Sequence, residues 1–196
     1  MTRILHSSND PDVTGCIVGC EYLPHIWLTD VLLTFADFGI FFPIFSEDVL
    51  QEAERALICT LGKPRQFATA YIDQIRTIDA AYVVSSSPAL PGTMVIPDID
   101  DRHVVAAAHN GDAAFIVTFN LKDFPNEELG KIGLTALHPD TFLVRLVSQC
   151  PTMCSEALRY LVDSKKNPPR TMAQELDHLA RTAMPKFAAI IRTMQR

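Results

Sequence analysis

IPDIDDRHVVAAAHNGDAAFIVTFNLKDFP, residues Ile96 to Pro125, contains a complete helix-to-strand passage. Asp98, Asp100 and Asp101 stand where a helix begins, and acids there cap the free N–H groups and complement the dipole. Gly111 follows the helical run as its stop. Ala114 to Thr118 is then apolar and β-branched without polar alternation, the pattern of a strand buried on both faces of a parallel sheet. Asn120 comes two residues beyond Thr118, at the exit of that strand.

Working outward, Cys16-Ile17-Val18 is a second short apolar run with the composition of a buried strand. LTDVLLTFADF, from Leu28 to Phe38, has Leu28, Val31, Leu32, Phe35 and Phe38 at helical spacing, with Gly39 as its C-terminal stop. Ser46 offers an N-cap to a second helix, with Glu47 and Asp48 in its first turn and Val49, Leu50, Ala53, Ala56 and Leu57 on one side. Pro64 opens a third helix, for which Phe67, Ala70, Tyr71, Gln74 and Ile78 are expected near the core. A loop with Pro88, Pro91 and Gly92 leads to the apolar Met94-Val95-Ile96. Ile132 to Ala136 is a further strand candidate, and from Pro139 the pattern is helical, broken at Pro151, Pro168-Pro169 and Pro185.

Strands alternating with helices predict an α/β fold with a central parallel sheet. The expected organisation is a flexible N-terminus over 1–14, one α/β domain over 15–150, and a helical C-terminal extension over 151–196 packed on it. A chain of 196 residues suits one sizeable core. The Phe38–Phe45 stretch is too short to span a bilayer, and the start MTRILHSSNDPDV has no apolar run like a signal peptide, so a cytoplasmic protein with no membrane partner is expected. Five cysteines, an odd count, argue against a disulfide framework, and six histidines without an HxxxH or HxH pair argue against structural zinc. A net charge of −6 weighs against a general electrostatic grip on nucleic acid, though it leaves room for an acidic site that recruits cations.

In open parallel sheets, ligands collect outside the carboxyl ends of the strands. Three residues fall there. Glu52 lies beyond the first turn of the second helix, so capping does not explain it; a surface pairing with Arg55 would. Asp101 opens the helix before Ala114–Thr118, where capping competes as an explanation. Asn120 closes the strand, where asparagine also makes turns. Oxygen ligands from separate segments suit a hard divalent cation, Mg2+ or Mn2+, able to activate water and offset charge on a phosphate. For His103 a buried, hydrogen-bonded role is expected ahead of general-base catalysis. Lys165 and Lys166 read as a solvated helix end.

The stretch Ile96–Pro125, with FSEDVLQEAERAL at Phe45–Leu57 and HPDTFL, Pro168-Pro169 and MPKFAAIIR in the tail, resembles the PIN-domain ribonucleases, which include VapC-type toxins. The resemblance runs from about residue 16 to residue 192 and implies a three-layer α/β/α PIN-like fold with a helical C-terminal extension. It implies a metal-dependent endoribonuclease, acting on RNA by metal-activated water and restrained by a protein antitoxin. Carried over by position, it makes Glu52, Asp101 and Asn120 the metal and catalytic residues. Thr118 and Asp98 become supporting residues. Arg102 and Lys122 are candidates for meeting RNA phosphates.

The chain departs from the family at its first strand. Where the family has an aspartate ending that strand, the matching IVGCEYLP, Ile17 to Pro24, has Gly19. Glu21, two residues along, is a candidate replacement, and Asp30 is another carboxylate expected near the cleft. The alternative to a nuclease is a non-catalytic PIN domain that binds protein or RNA. The apolar helix around Leu28–Phe38 also points to a homodimer. If Glu21 has replaced the aspartate, Glu21→Gln abolishes metal binding and cleavage while Gly19→Asp adds little. If the ligand is simply lost, Gly19→Asp raises both and Glu21→Gln is silent. Calorimetric titration with Mn2+ beside a cleavage assay separates the two patterns; no response to either substitution would detach this strand end from the site.

Overall fold

The structure is a computed structural model that describes residues 15–18, 25–86, 90, 94–166 and 168–195. Gly19, Glu21 and the 1–14 segment lie outside the described residues. Five strands form one sheet: β1 (Gly15–Val18), β2 (Phe42–Ser46), β3 (Val83–Val84), β4 (Phe115–Val117) and β5 (Thr135–Leu137). Their order is β3-β2-β1-β4-β5 and every pairing is parallel. β1 and β4 are neighbours, with Cys16 opposite Phe115 and Val18 opposite Val117. The connections run outward from β1 through β2 to β3, then return across to β4 and β5, so the order reverses between β1 and β4.

Helices cover both faces. α1 (Ile26–Asp37), α2 (Glu47–Cys59) and α3 (Arg65–Ile78) precede β3, and α4 (Arg102–Asn110) precedes β4. α5 (Asn126–Leu129), α6 (Pro139–Gln149), α7 (Pro151–Ser164), α8 (Met172–Thr182) and α9 (Pro185–Met194) follow. Alternate residues of a strand face opposite sides, and the packing follows that rule. Phe41 and Phe115 meet Phe142 of α6 at ring distances of 5.2 and 6.0 Å on one face. On the other, Ile44 packs so tightly against the end of α4 that a Cβ at Gly111 would stand 3.0 Å from two of its carbons. The result is a three-layer α/β/α fold whose C-terminal helices belong to the same core.

Local chemistry accounts for the boundaries. Ser46 accepts the Val49 N–H at 3.3 Å and starts α2 as expected. Gly39, at φ 72°, takes the left-handed turn after α1. Thr171 and Gln174 form a reciprocal capping box on α8.

In three places the structure adds to or departs from the sequence reading. The Phe38–Phe45 stretch holds β2, hidden in the sequence by Pro43. Proline is tolerated there because β3 begins opposite Phe45, leaving β2 without a neighbour on that side at Pro43. The core face of α3 is Ala68, Ile72 and Ile75; Ala70 and Gln74 are exposed, Phe67 and Ile78 largely so, and Phe67 stacks on Tyr71 instead. Met94–Ile96 pairs with no strand.

The apolar face of α1 is covered within the chain. Phe35 meets Phe187 of α9 at 6.0 Å and Phe38 meets Tyr160 of α7 at 5.6 Å, which removes the ground for expecting a homodimer. Asp140 of α6 is buried and accepts the N–H groups of Lys186 and Phe187 at 3.1 and 2.8 Å, so one helix caps another. Asp140→Ala leaves two N–H groups at a buried helix start unsatisfied and is expected to cost about 2 kcal/mol. Urea unfolding measures it; a change within about 0.5 kcal/mol, the range of neutral surface substitutions, would show that α9 docks without this cap.

Candidate functional site

Because the strands are parallel, the exits of β1, β2, β3 and β4 share one edge, and the reversal between β1 and β4 opens a crevice there. At that edge a cavity of about 530 Å³ is lined by Asp48, Gln51, Glu52 and Arg55 of α2 and by Asp100 and His103 at the start of α4. Two helices far apart in sequence thus bring three carboxylates to one open cleft.

Glu52 faces α4. Its Oε2 lies 3.4 Å from His103 Nε2, a charge contact without hydrogen-bond alignment, and its Oε1 lies 3.9 Å from Arg55. His103 Nδ1 donates to the Asp100 carbonyl at 2.5 Å, which fixes the ring with Nε2 toward Glu52. Glu52 raises the histidine's pKa above 6.5, against the opposing effect of burial, with smaller help from the Asp100 carbonyl and Asp48. His103 is hydrogen-bonded as expected but half-buried rather than buried, and its contact with Glu52 was not foreseen. Arg55 makes the expected pairing, weak at this distance and exposure.

The start of α4 is held by Asp98, whose carboxylate accepts the Asp100 N–H at 2.9 Å. Asp101 is half-buried at the junction of that turn with the helix. Arg102 donates to the Met94 carbonyl at 3.0 Å, tying the incoming loop to α4. At the exit of β4, buried Thr118 accepts the Asn120 N–H at 3.0 Å and shapes the turn that follows. The Asn120 amide donates to Asp123, and Lys122 beside it is exposed. Among the described residues, no group of three or more His, Cys, Asp or Glu stands close enough to enclose a metal ion.

Asp30 lies elsewhere. It lines a second cavity with Lys165, Arg170 and His178; burial raises its pKa, opposed by Lys165 and reinforced by Glu175. Lys165 is not the solvated end expected of it, since its Nζ meets fully buried Glu175 at 2.7 Å, and Arg170 meets the same carboxylate at 3.0 Å. Burial alone would raise the Glu175 pKa, but these two cations hold it below the usual range. The signal for this cluster was a glutamate on the apolar side of a helix, ten residues from Lys165. Among the described residues, no helix is long and apolar enough to cross a membrane.

Comparison with known proteins agrees with this architecture. A PIN domain model matches residues 24–122, half of the chain, beginning at the last residue of the Gly19 stretch. A model of the VapC50 C-terminal domain matches residues 139–193, the helical extension. The chain is 39% identical over 94 residues to the Mycobacterium tuberculosis (strain ATCC 25618 / H37Rv) protein named "Putative ribonuclease VapC50". That match covers 48% of this chain and 55% of the relative, so the chain spans about half the length of the protein it resembles. No solved structure matches it. With a parallel five-stranded sheet in three layers and a family match over half its length, the chain belongs to the PIN domain family.

Proposed function

We propose that this chain is a metal-dependent endoribonuclease, the cytoplasmic toxin of a toxin–antitoxin pair, which hydrolyses RNA phosphodiesters at the carboxyl edge of its sheet. The observation that carries the reading is the approach of Glu52 to the acidic start of α4 across one open cleft. The name of the M. tuberculosis relative supports ribonuclease activity and, as a VapC, an antitoxin partner.

The donor set fits a hard cation. Glu52 and Asp101 offer carboxylate oxygens, and Asn120, with its NH2 committed to Asp123, would offer Oδ1. Magnesium is usually held through one or two carboxylates while it keeps waters and phosphate oxygens, so an all-protein cage is not needed. Once bound, Mg2+ or Mn2+ lowers the pKa of water and offsets charge developing on the phosphate.

The chain's own residues orient and hold. His103 fixes Glu52 from the α4 side, Asp98 fixes the turn that presents Asp101, and Thr118 fixes the turn that presents Asn120. Lys122, exposed beside Asn120, would meet an RNA phosphate, as would Arg102 with the guanidinium N–H groups not given to Met94. Gly19 is the specific feature behind a second reading, a PIN domain that binds RNA or protein without cutting, with Glu21 as the residue able to restore the first.

Asp101→Asn keeps the side-chain shape and removes its charge. Cleavage of a single-stranded RNA is expected to fall at least as far as the roughly 10–100-fold lost with an outer-shell partner, and to vanish in chelator. Activity that survives both chelator and substitution would overturn the metal mechanism, and no activity in the unaltered chain with Mg2+ or Mn2+ would favour the binding module.

A further inference from the structure

A line of rings runs along the carboxyl edge of the sheet. His138 follows β5, Phe119 follows β4, His25 precedes α1, Trp27 lies in its first turn, and His178 projects from α8. Successive ring centroids are 5.2, 5.8, 6.0 and 5.6 Å apart. His25 is exposed and the other four are half-buried, so each keeps surface for a ligand. Its second ring adjoins the proposed site in the chain, since Phe119 sits between Thr118 and Asn120.

It ends in a cavity of about 450 Å³ lined by Trp27, Asp30, Lys165, Lys166, Arg170 and His178. Glu175, fully buried, anchors Lys165 and Arg170 in place; Arg170 gives it one guanidinium N–H and carries four more. Lys166 is exposed and donates one of its three protons, to the Asp163 carbonyl at 2.9 Å. Three cations here, two of them anchored, outnumber two carboxylates. The extension has the same bias, with eight Lys and Arg against four Asp and Glu over residues 151–196, in a chain whose net charge is −6. Burial lowers the pKa of His178 and of His138, which favours the uncharged ring, the form suited to stacking.

Aromatic faces beside cations are the chemistry that binds unpaired nucleotides, bases on the rings and phosphates on the charges. A duplex keeps its bases stacked inside and cannot offer them to recessed rings. We propose that α8, the end of α7 and the start of α1 form a single-stranded RNA subsite, with an unpaired base against Trp27 and His178 and its phosphate at Lys166 and Arg170. This rests on the ribonuclease reading and gives the extension a role in it: to hold the strand that leaves the acidic cleft along the rings.

Trp27 is the chain's single tryptophan, so its fluorescence reports this subsite alone. A fluorescein-labelled single-stranded oligoribonucleotide is titrated into the full chain in chelator, which stops metal-dependent cleavage. Tryptophan emission and fluorescein anisotropy are followed together. The expected result is saturable quenching of Trp27 at the same concentration as the anisotropy change, none with the equivalent duplex, and binding that weakens with salt. Lys166→Ala, a surface change, should raise Kd several-fold and lower the salt slope by about one. Absent binding, binding without quenching, equal quenching by duplex, or a Lys166→Ala variant that binds as before would each overturn the subsite. Parallel cleavage with Mg2+ separates the two claims: cleavage with a silent Trp27 removes the subsite alone, whereas quenching without cleavage keeps it and removes the nuclease.

Discussion

The same-direction pairing of β1 with β2 on one side and β4 on the other is the constraint from which the rest follows. Since each strand runs the same way, every exit lies on one edge, and the helix or turn after each strand must begin there. Reversal of strand order at β1 and β4 then leaves the exits of those two strands without a common crossover between them. Glu52, Asp101 and Asn120 all belong to that edge because of their topological position, before any side-chain contact is considered. So do Phe119, His25 and His138, which extend the edge toward the C-terminal helices.

Two buried acids decide how those helices sit. Asp140 and Glu175 are each removed from water, which is costly for a carboxylate unless its lone pairs are filled. Asp140 is filled by backbone N–H groups at the start of α9, and Glu175 by Lys165 and Arg170. Each acid therefore fixes a geometry as well as a contact. The first orients α9 against α6. The second sets the charged wall of the cavity beside Trp27, so that the fold of the extension and its charge pattern have one origin.

The sequence was most legible where local chemistry decides the outcome. The acid-led helix ending at Gly111, the β-branched run after it, the serine cap at Ser46 and the proline breaks of the tail all stand where their side chains put them. Elements decided by neighbours were less visible. β2 carries a proline that only the shortness of β3 makes acceptable, and α3 bears apolar residues on two sides, so periodicity pointed to Phe67 when Ile72 and Ile75 were the core. At the edge, position in the chain offered Glu52, Asp101 and Asn120 as candidates. It could not give the partners of Glu52, because His103 reaches it from a helix fifty residues away, nor the pairing of Lys165 with a glutamate across a turn.

The central claim is that Glu52, Asp101 and Asn120 serve one divalent cation. Paramagnetic Mn2+ broadens the NMR signals of nearby nuclei, so substoichiometric Mn2+ added to isotopically labelled protein locates the ion directly. The account predicts that the Asn120 side-chain amide, the Asp101 backbone amide and the His103 ring lose intensity first, while the Trp27 indole and the α8 amides keep theirs. Broadening centred on the tail, or spread evenly over the surface acids, would contradict it.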